Sequence, residues 1–181
     1  MSVKSISPGD AVIVNGTLGD HGAAIIAARE SLSLSSNLVS DTAPLNGLIA
    51  DILQASPHIH CMRDATRGGL GAILAEIAKT AQVRIDIDEK NIPVQDNVRG
   101  ICEILGFDPL YLANEGKMAV FCAQSDAWAV LRVMQKHPYG RNAAIIGRVD
   151  SSASGRVVLK TAIGGERVVD MPTGELVPRI C

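Results

Sequence analysis

Residues 62–78 read MRDATRGGLGAILAEIA, a polar, glycine-rich turn that runs directly into a helical pattern. Apolar residues recur in the second part of this stretch at Leu70, Ile73, Leu74, Ile77 and Ala78. This spacing places side chains on one face of a helix. The stretch therefore predicts an amphipathic helix that starts immediately after a turn.

The turn before this helix has two interpretations. Its polar residues and glycines are Arg63, Asp64, Thr66, Arg67, Gly68 and Gly69. Backbone N–H groups at a helix start favour an anion, the glycines allow close approach, and the two arginines can neutralise a phosphate, so the turn is a candidate cofactor-binding site. Alternatively, the threonine or the aspartate only caps the helix, and the glycines only permit tight packing. The spacing leaves both interpretations open.

Helical and strand patterns alternate over the rest of the chain. Strands are predicted over 11–14, 83–87, 117–123 and 143–149, and further helices over 23–30, 45–53, 98–105 and 125–135. Residues 155–170 read as a hairpin, with 157–159 opposite 168–169. The helix at 45–53 has Asp41 or Thr42 as its predicted cap. We therefore expect one mixed sheet covered by helices, with a domain over 1–170 and a tail over 171–181.

Composition narrows the classes of function. The chain has 181 residues and a formal net charge of −2, which gives no electrostatic case for nucleic acid or a membrane surface. No apolar run approaches a transmembrane length, so the cytoplasm is the simplest predicted location. The four cysteines never form a Cys-x-x-Cys pair, which argues against a disulfide scaffold or a zinc knuckle.

Two loops hold candidates for proton transfer. Glu115 lies in the turn YLANEGK before a predicted strand, where a carboxylate can take protons from a substrate, although a solvated turn glutamate is the alternative. Asn114 and Lys117 beside it are candidates for orienting that carboxylate or the substrate, and Asn114 is also a candidate cofactor-binding residue. His21, in the loop GDHG before the first helix, titrates near neutral pH, although a lone loop histidine is often only a surface residue.

His58, His60 and Cys61 lie close together in sequence and raise the question of a metal. In an extended run the two histidines share a face, whereas the cysteine points the other way. We therefore predict no metal site from these residues.

The chain ends in a tail that carries a terminal thiol, Cys181. Pro172 and Pro178 favour extended backbone in this tail. Eleven extended residues reach roughly 35–40 Å, which is enough to cross a small domain. The tail is therefore predicted to be an arm with a nucleophile at its tip, and an incidental exposed thiol is the alternative.

Four segments together resemble one family. GTLGDHG, MRDATRGGLGAILAEIA, ANEGK and the terminal PRIC occur in the order found in the HypE family of hydrogenase maturation proteins, which belongs to the aminoimidazole-ribonucleotide-synthetase-like superfamily. The resemblance covers essentially the whole chain. It implies an α+β fold like the C-terminal domain of that synthetase.

The resemblance also implies a carrier-arm enzyme. In the family the terminal thiol, here Cys181, receives a carbamoyl group from the carbamoyltransferase HypF; ATP then drives dehydration to a thiocyanate, and the cyanide passes to iron on HypC and HypD. The family glutamate in the Asn-Glu-Gly turn matches Glu115, and His21 is the competing proton acceptor.

The family has a preceding half that supplies much of the ATP and magnesium binding and the main dimer contact, and this chain begins after it. We therefore expect a C-terminal domain with little nucleotide binding or hydrolysis of its own. Either it forms part of the dehydratase, or as an isolated fragment it is a non-catalytic carrier and docking module.

Overall fold

Residues 1–29 and 38–172 are described by the computed structural model. They form five helices: α1 (Asp20–Arg29), α2 (Asn46–Ala55), α3 (Gly69–Ala81), α4 (Asp96–Leu105) and α5 (Ala127–Lys136). Seven strands accompany them: β1 (Ala11–Val14), β2 (Ile59–Asp64), β3 (Arg84–Asp88), β4 (Met118–Cys122), β5 (Ala144–Asp150), β6 (Val157–Lys160) and β7 (Glu166–Val169). Helices and strands alternate, as the sequence pattern predicts.

All seven strands form one sheet in the order β2-β4-β1-β5-β3-β6-β7. Neighbouring strands are antiparallel except β3 and β6, which run parallel. The hairpin is confirmed, since Val157 pairs with Val169 and Val158 with Val168. The predicted α+β fold with a mixed sheet is therefore confirmed.

Helices cover both faces of the sheet at its centre. Alternate residues of β1 point to opposite faces: Val12 and Val14 join the core beneath α3, whereas Ala11 and Ile13 join the core beneath α2 and α5. A third cluster joins α1 to α4 through residues that include Ile26. Because β1 is buried on both faces, the turn that follows it lies close to the protein interior.

Three features near the site differ from the prediction: the start of one helix, an additional strand and the cap of a second helix. Helix α1 begins at Asp20 rather than at residue 23, because the Ala23 N–H bonds to the Gly19 carbonyl. Strand β2 is additional, since the sequence pattern does not assign it. Helix α2 is preceded by Leu45 and not capped by Asp41 or Thr42, so that prediction is wrong; the Asp41 carboxylate bonds elsewhere.

Candidate functional site

A cleft of about 330 Å³ opens where the turn after β1 meets the turn before β4. Its walls are completed by residues 39–43 and by Pro138, Tyr139, Arg141 and Asn142. Its charged and polar lining includes Thr17, Asp20, Asp41, Gln95, Lys117 and Arg141. Several sequence-distant segments therefore contribute polar groups to one concave surface, which is the usual form of a ligand site.

Two nearly buried carboxylates share Lys117 on the wall of this cleft. Its Nζ lies 2.8 Å from Asp41 Oδ2 and 3.8 Å from Asp20 Oδ2. Relative exposure of the three side chains is only 12% for Lys117, 4% for Asp41 and 6% for Asp20. Two carboxylates that are distant in sequence therefore face a single ammonium group.

Asp20 is held in this cluster by neutral donors as well. The Thr17 hydroxyl donates to Asp20 Oδ2, and the Gln95 amide donates to Oδ1 at 3.0 Å. Burial raises the pKa of Asp20, and Asp41 adds to the rise, whereas the Thr17 hydrogen bond, the Lys117 charge and the Gln95 hydrogen bond oppose it. A carboxyl group with a raised pKa in a cleft is a typical proton-transfer candidate.

The short segment 40–42 contacts both predicted proton acceptors. Ser40 Oγ lies 2.8 Å from His21 Nδ1, and Asp41 Oδ1 accepts the Glu115 backbone N–H at 2.9 Å. His21 is buried in the first turn of α1, and Glu115 is half-buried. Folding therefore brings Glu115, His21 and Lys117 to one neighbourhood.

Asn114 and Asn15 are buried and join the loops around the cleft. Asn114 accepts the Gly19 N–H and donates to the carbonyls of Ala65 and Leu112. Asn15 donates to the Gly116 carbonyl and accepts the Met118 N–H. Asn114, a predicted cofactor-binding residue, thus uses its side chain inside the protein.

Asn15, Asp20, Asp41 and Thr17 are site residues that the sequence analysis did not select. Thr17 and Asp20 lie inside GTLGDHG and Asn15 directly precedes it, and this segment was the local signal of the site. Asp41 has sequence neighbours that suggest a helix cap, and nothing local indicates the partners that it contacts across the fold.

The glycine turn before α3 contributes no residue to the lining of the cleft, although its Ala65 N–H bonds to the Lys117 carbonyl. Arg63 forms a two-pronged ion pair with Glu76 of α3, at 3.1 and 3.2 Å. Asp64 accepts the Thr66 hydroxyl, and Arg67 is exposed. The helix cap position is occupied by Gly68, not by Thr66 or Asp64.

The glycines of this turn have structural explanations, and tight packing, which one of the two interpretations predicts, applies to Gly69. Gly68 and Gly69 both have positive φ, of 71° and 62°. A Cβ at Gly69 would lie 2.4 Å from the Leu110 carbonyl oxygen. The alternative in which the same turn also binds a phosphate stays a prediction.

The histidines near β2 pair with carboxylates. His58 Nδ1 lies 2.9 Å from Asp126 and His60 Nδ1 lies 2.7 Å from Asp10, whereas Cys61 is buried in the core. In the ranges 1–29 and 38–172, no group of three or more His, Cys, Asp or Glu side chains is placed to hold a metal ion. Cys181 lies outside the described residues.

Three cysteines of the described ranges are buried thiols. Burial raises the pKa of Cys122 to about 12 and that of Cys102 to about 11, and it also raises the pKa of Cys61. Since the thiolate is the reactive form, these three thiols are poor nucleophiles near neutral pH.

Comparison with known proteins places the fold in a family. Residues 7–160 match the family described as AIR synthase related protein, C-terminal domain. The chain belongs to this family.

The individual relatives identify the kind of protein that it resembles. Over 181 residues, covering all of this chain and 53% of the relative, it is 50% identical to carbamoyl dehydratase HypE of Rhodobacter capsulatus. A solved structure of hydrogenase maturation protein HypE in complex with ATP has 41% identity and a TM-score of 0.92, over 99% of this chain and 55% of that one. The predicted resemblance to HypE is confirmed.

A second solved structure is a HypE–HypF complex, with 44% identity and a TM-score of 0.89, covering 94% of this chain and 55% of the matched chain. The chain thus spans about half the length of the curated relatives that it matches. Among the described residues, no helix is long and apolar enough to cross a lipid bilayer.

Proposed function

We propose that this chain forms the C-terminal half of an ATP-dependent carbamoyl dehydratase that makes the cyanide ligands of nickel-iron hydrogenase. The observation that carries the proposal is 50% identity to a carbamoyl dehydratase over all 181 residues. In this proposal Cys181 carries first a carbamoyl and then a cyano group. HypF supplies the carbamoyl group, HypC and HypD accept the cyanide, and the full-length protein is a cytoplasmic homodimer.

The chemistry requires a thiolate acceptor that is distinct from the core thiols. Carbamoyl transfer forms a bond to a thiolate sulfur, and burial disfavours the thiolate at Cys61, Cys102 and Cys122. Arg179, two residues before Cys181, is a cation that can favour the thiolate form of Cys181. Both considerations support Cys181 as the carrier.

Dehydration then requires bases. ATP supplies the phosphoryl group that turns the carboxamide oxygen into a leaving group, and two protons must leave the nitrogen. We propose Glu115 as the first acceptor, with His21 as the competing candidate. The Asp41 carboxylate supports this role, because it holds the backbone of Glu115 at 2.9 Å.

The nucleotide is proposed to be held mainly by the half that this chain does not contain. Arg67, with the backbone of the glycine turn, is the contribution that we propose from this half, since the Arg63 guanidinium already pairs with Glu76. Magnesium is assigned to the other half as well. The described residues lack a cluster of three metal-binding side chains, and we derive no step through the ion.

The second candidate function is a carrier and docking module. It is favoured by the 53% coverage of the relative, because an isolated half can present a thiol without completing an ATP site. For the 181-residue chain alone, this candidate predicts negligible ATP hydrolysis and weak nucleotide binding. Calorimetry with magnesium-ATP measures the binding directly.

Mass spectrometry of the Cys181 peptide separates the two functions. The full-length protein and the 181-residue chain are each incubated with HypF and carbamoyl phosphate, with and without ATP, beside a Cys181→Ala control. A carbamoyl adduct that loses one water in the full-length protein supports the dehydratase. An adduct that never loses water in either protein supports only the carrier, and no adduct in either would overturn both.

A further inference from the structure

Asp20 lines the cleft, whereas the two proton acceptors proposed above, Glu115 and His21, do not. Among the described residues, the carboxylates that line the cleft belong to Asp20 and Asp41. Glu115 and His21 are not among the residues that line the cleft, although each is next in sequence to one that does, Gly116 and Asp20 respectively. A group in the cleft therefore meets the Asp20 carboxylate more directly than either of them.

The two carboxylates of the cleft have unequal partners. Asp41 has the closer ion pair with Lys117, at 2.8 Å, and also accepts the Glu115 backbone N–H. Asp20 lies 3.8 Å from the same ammonium and otherwise accepts bonds from the uncharged Thr17 and Gln95. The Lys117 ammonium therefore neutralises only one of two nearly buried carboxylates. A proton on Asp20 or Asp41 makes this group of three side chains neutral.

Asp20 is the member of this pair that is placed to take that proton. Burial is the largest influence on its pKa and raises it. The ammonium of Lys117 and the carboxylate of Asp41 are the charged groups identified as acting on it, and they act in opposite directions. Single substitutions of Lys117, Asp41 or Thr17 should therefore change the pKa of Asp20.

We propose that Asp20 accepts one of the two protons that leave the nitrogen during dehydration. This inference rests on the proposed function and extends it. In the step assigned here, an N–H bond of the phosphorylated carboxamide breaks and its proton passes to the Asp20 carboxylate. The N–H electron pair forms the new C–N π bond, and the C–O bond breaks as phosphate leaves with the oxygen. Glu115 takes the other proton.

The test uses the full-length protein, carbamoylated beforehand at Cys181, in single-turnover dehydration with ATP across a pH series. Asp20→Asn is expected to slow dehydration by about 100-fold or more, the usual contribution of a positioned base. Asp20→Glu is expected to recover part of the rate. Carbamoylation of Cys181 and the melting temperature are measured in each variant as checks on folding.

Two conservative substitutions of neighbours move the pH profile in opposite directions. A base works when deprotonated, so the rate falls as the pH drops through its pKa. Asp41→Asn removes a like charge that raises the pKa of Asp20, so this fall moves to lower pH. Thr17→Val removes a hydrogen bond that lowers the pKa of Asp20, so the fall in rate moves to higher pH. A purely structural role for Asp20 predicts no such opposed shift.

The outcomes separate this inference from the proposed function. If wild-type protein accepts carbamoyl but never dehydrates it, the proposed function fails. If wild type dehydrates and Asp20→Asn does so at the same rate, only the role of Asp20 is overturned. That role is also overturned if Asp41→Asn and Thr17→Val both leave the acidic fall at the wild-type pH.

Discussion

The cleft and the glycine turn before α3 each contain a pair of oppositely charged side chains, yet they are built differently. In the cleft, the Lys117–Asp41 pair is nearly buried, with side-chain exposures of 12% and 4%. At the turn, Arg63 and Glu76 are 36% and 51% exposed. Water screens the second pair far more than the first.

Burial distinguishes these two charged clusters better than residue type does. Charges leave water at a cost, and a nearly buried cluster with two carboxylates and one ammonium is rarely kept for stability alone. An exposed arginine pair and a glycine required by packing have ordinary structural explanations. This difference supports the proposal that proton transfer takes place at the cleft, and it gives the Arg63–Glu76 pair and Gly69 structural explanations.

The largest expected effect is on the reaction. Glu115→Gln in the full-length protein keeps shape and hydrogen bonding but cannot accept a proton, so dehydration is expected to slow by roughly 100- to 10,000-fold. Carbamoylated Cys181 should accumulate, as mass spectrometry would detect. His21→Asn should have a milder effect, and Glu103→Gln on the exposed side of α4 serves as the matched control. If Glu115→Gln dehydrates the adduct at the wild-type rate, Glu115 is only a turn residue.

The second effect tests whether the glycine turn is architectural. Gly69→Ala combines a left-handed backbone with a Cβ 2.4 Å from the Leu110 carbonyl, and we expect a loss of about 4 kcal/mol in the free energy of unfolding. Urea denaturation measures it. As control, Gly100→Ala lies within α4 with no atom within 4 Å of the new Cβ, and should stabilise by about 0.5–1 kcal/mol. Equal effects of the two changes would contradict the packing argument.

The third effect tests the buried charges of the cleft. Lys117→Met leaves the carboxylates of Asp20 and Asp41 without their shared cation, at an expected cost of about 3 kcal/mol near neutral pH. Burial already raises the folded-state pKa of Asp20, and loss of Lys117 raises it further. The folded variant therefore binds more protons than the unfolded chain does, and its stability falls as pH rises through that folded pKa.

Denaturation of Lys117→Met and wild type at several pH values measures this difference, which should shrink on acidification. Lys79→Met, an exposed lysine on α3, is the matched control and should change stability by less than about 0.5 kcal/mol. The Lys117 side chain also passes close to Gly16, where a Cβ would lie 3.0 Å from Lys117 Cε. A deficit that does not depend on pH would mean that Lys117 stabilises the fold by this packing and not by charge.

The smallest expected effect concerns the exposed ion pair between Arg63 and Glu76. Arg63→Ala should change the free energy of unfolding by no more than about 0.5 kcal/mol, because water and salt screen its interaction with Glu76. The remaining difference should shrink further between low and high salt. Thermal denaturation at two salt concentrations checks this, and a loss comparable with that of Lys117→Met would remove the distinction between the two regions.

Most of the helices and strands, and the family, follow from the sequence alone, whereas strand β2 does not. Leu70, Ile73 and Leu74 repeat at helical spacing, and the hairpin at 157–169 is encoded in adjacent residues, so periodicity was sufficient for both. Four short segments were also sufficient for the resemblance to HypE. Each of these signals is local, and none requires knowledge of a distant contact.

The tertiary structure alone decided the strand order and the charged cleft. Pairing of β3 with β6, and of β1 with both β4 and β5, joins segments that no local pattern relates. Lys117 and Asp41 are 76 positions apart, and the sequence around Asp41 resembles a helix cap. The physical reason is that burial and electrostatic coupling depend on distances in the folded protein, whereas periodicity depends only on neighbours along the chain.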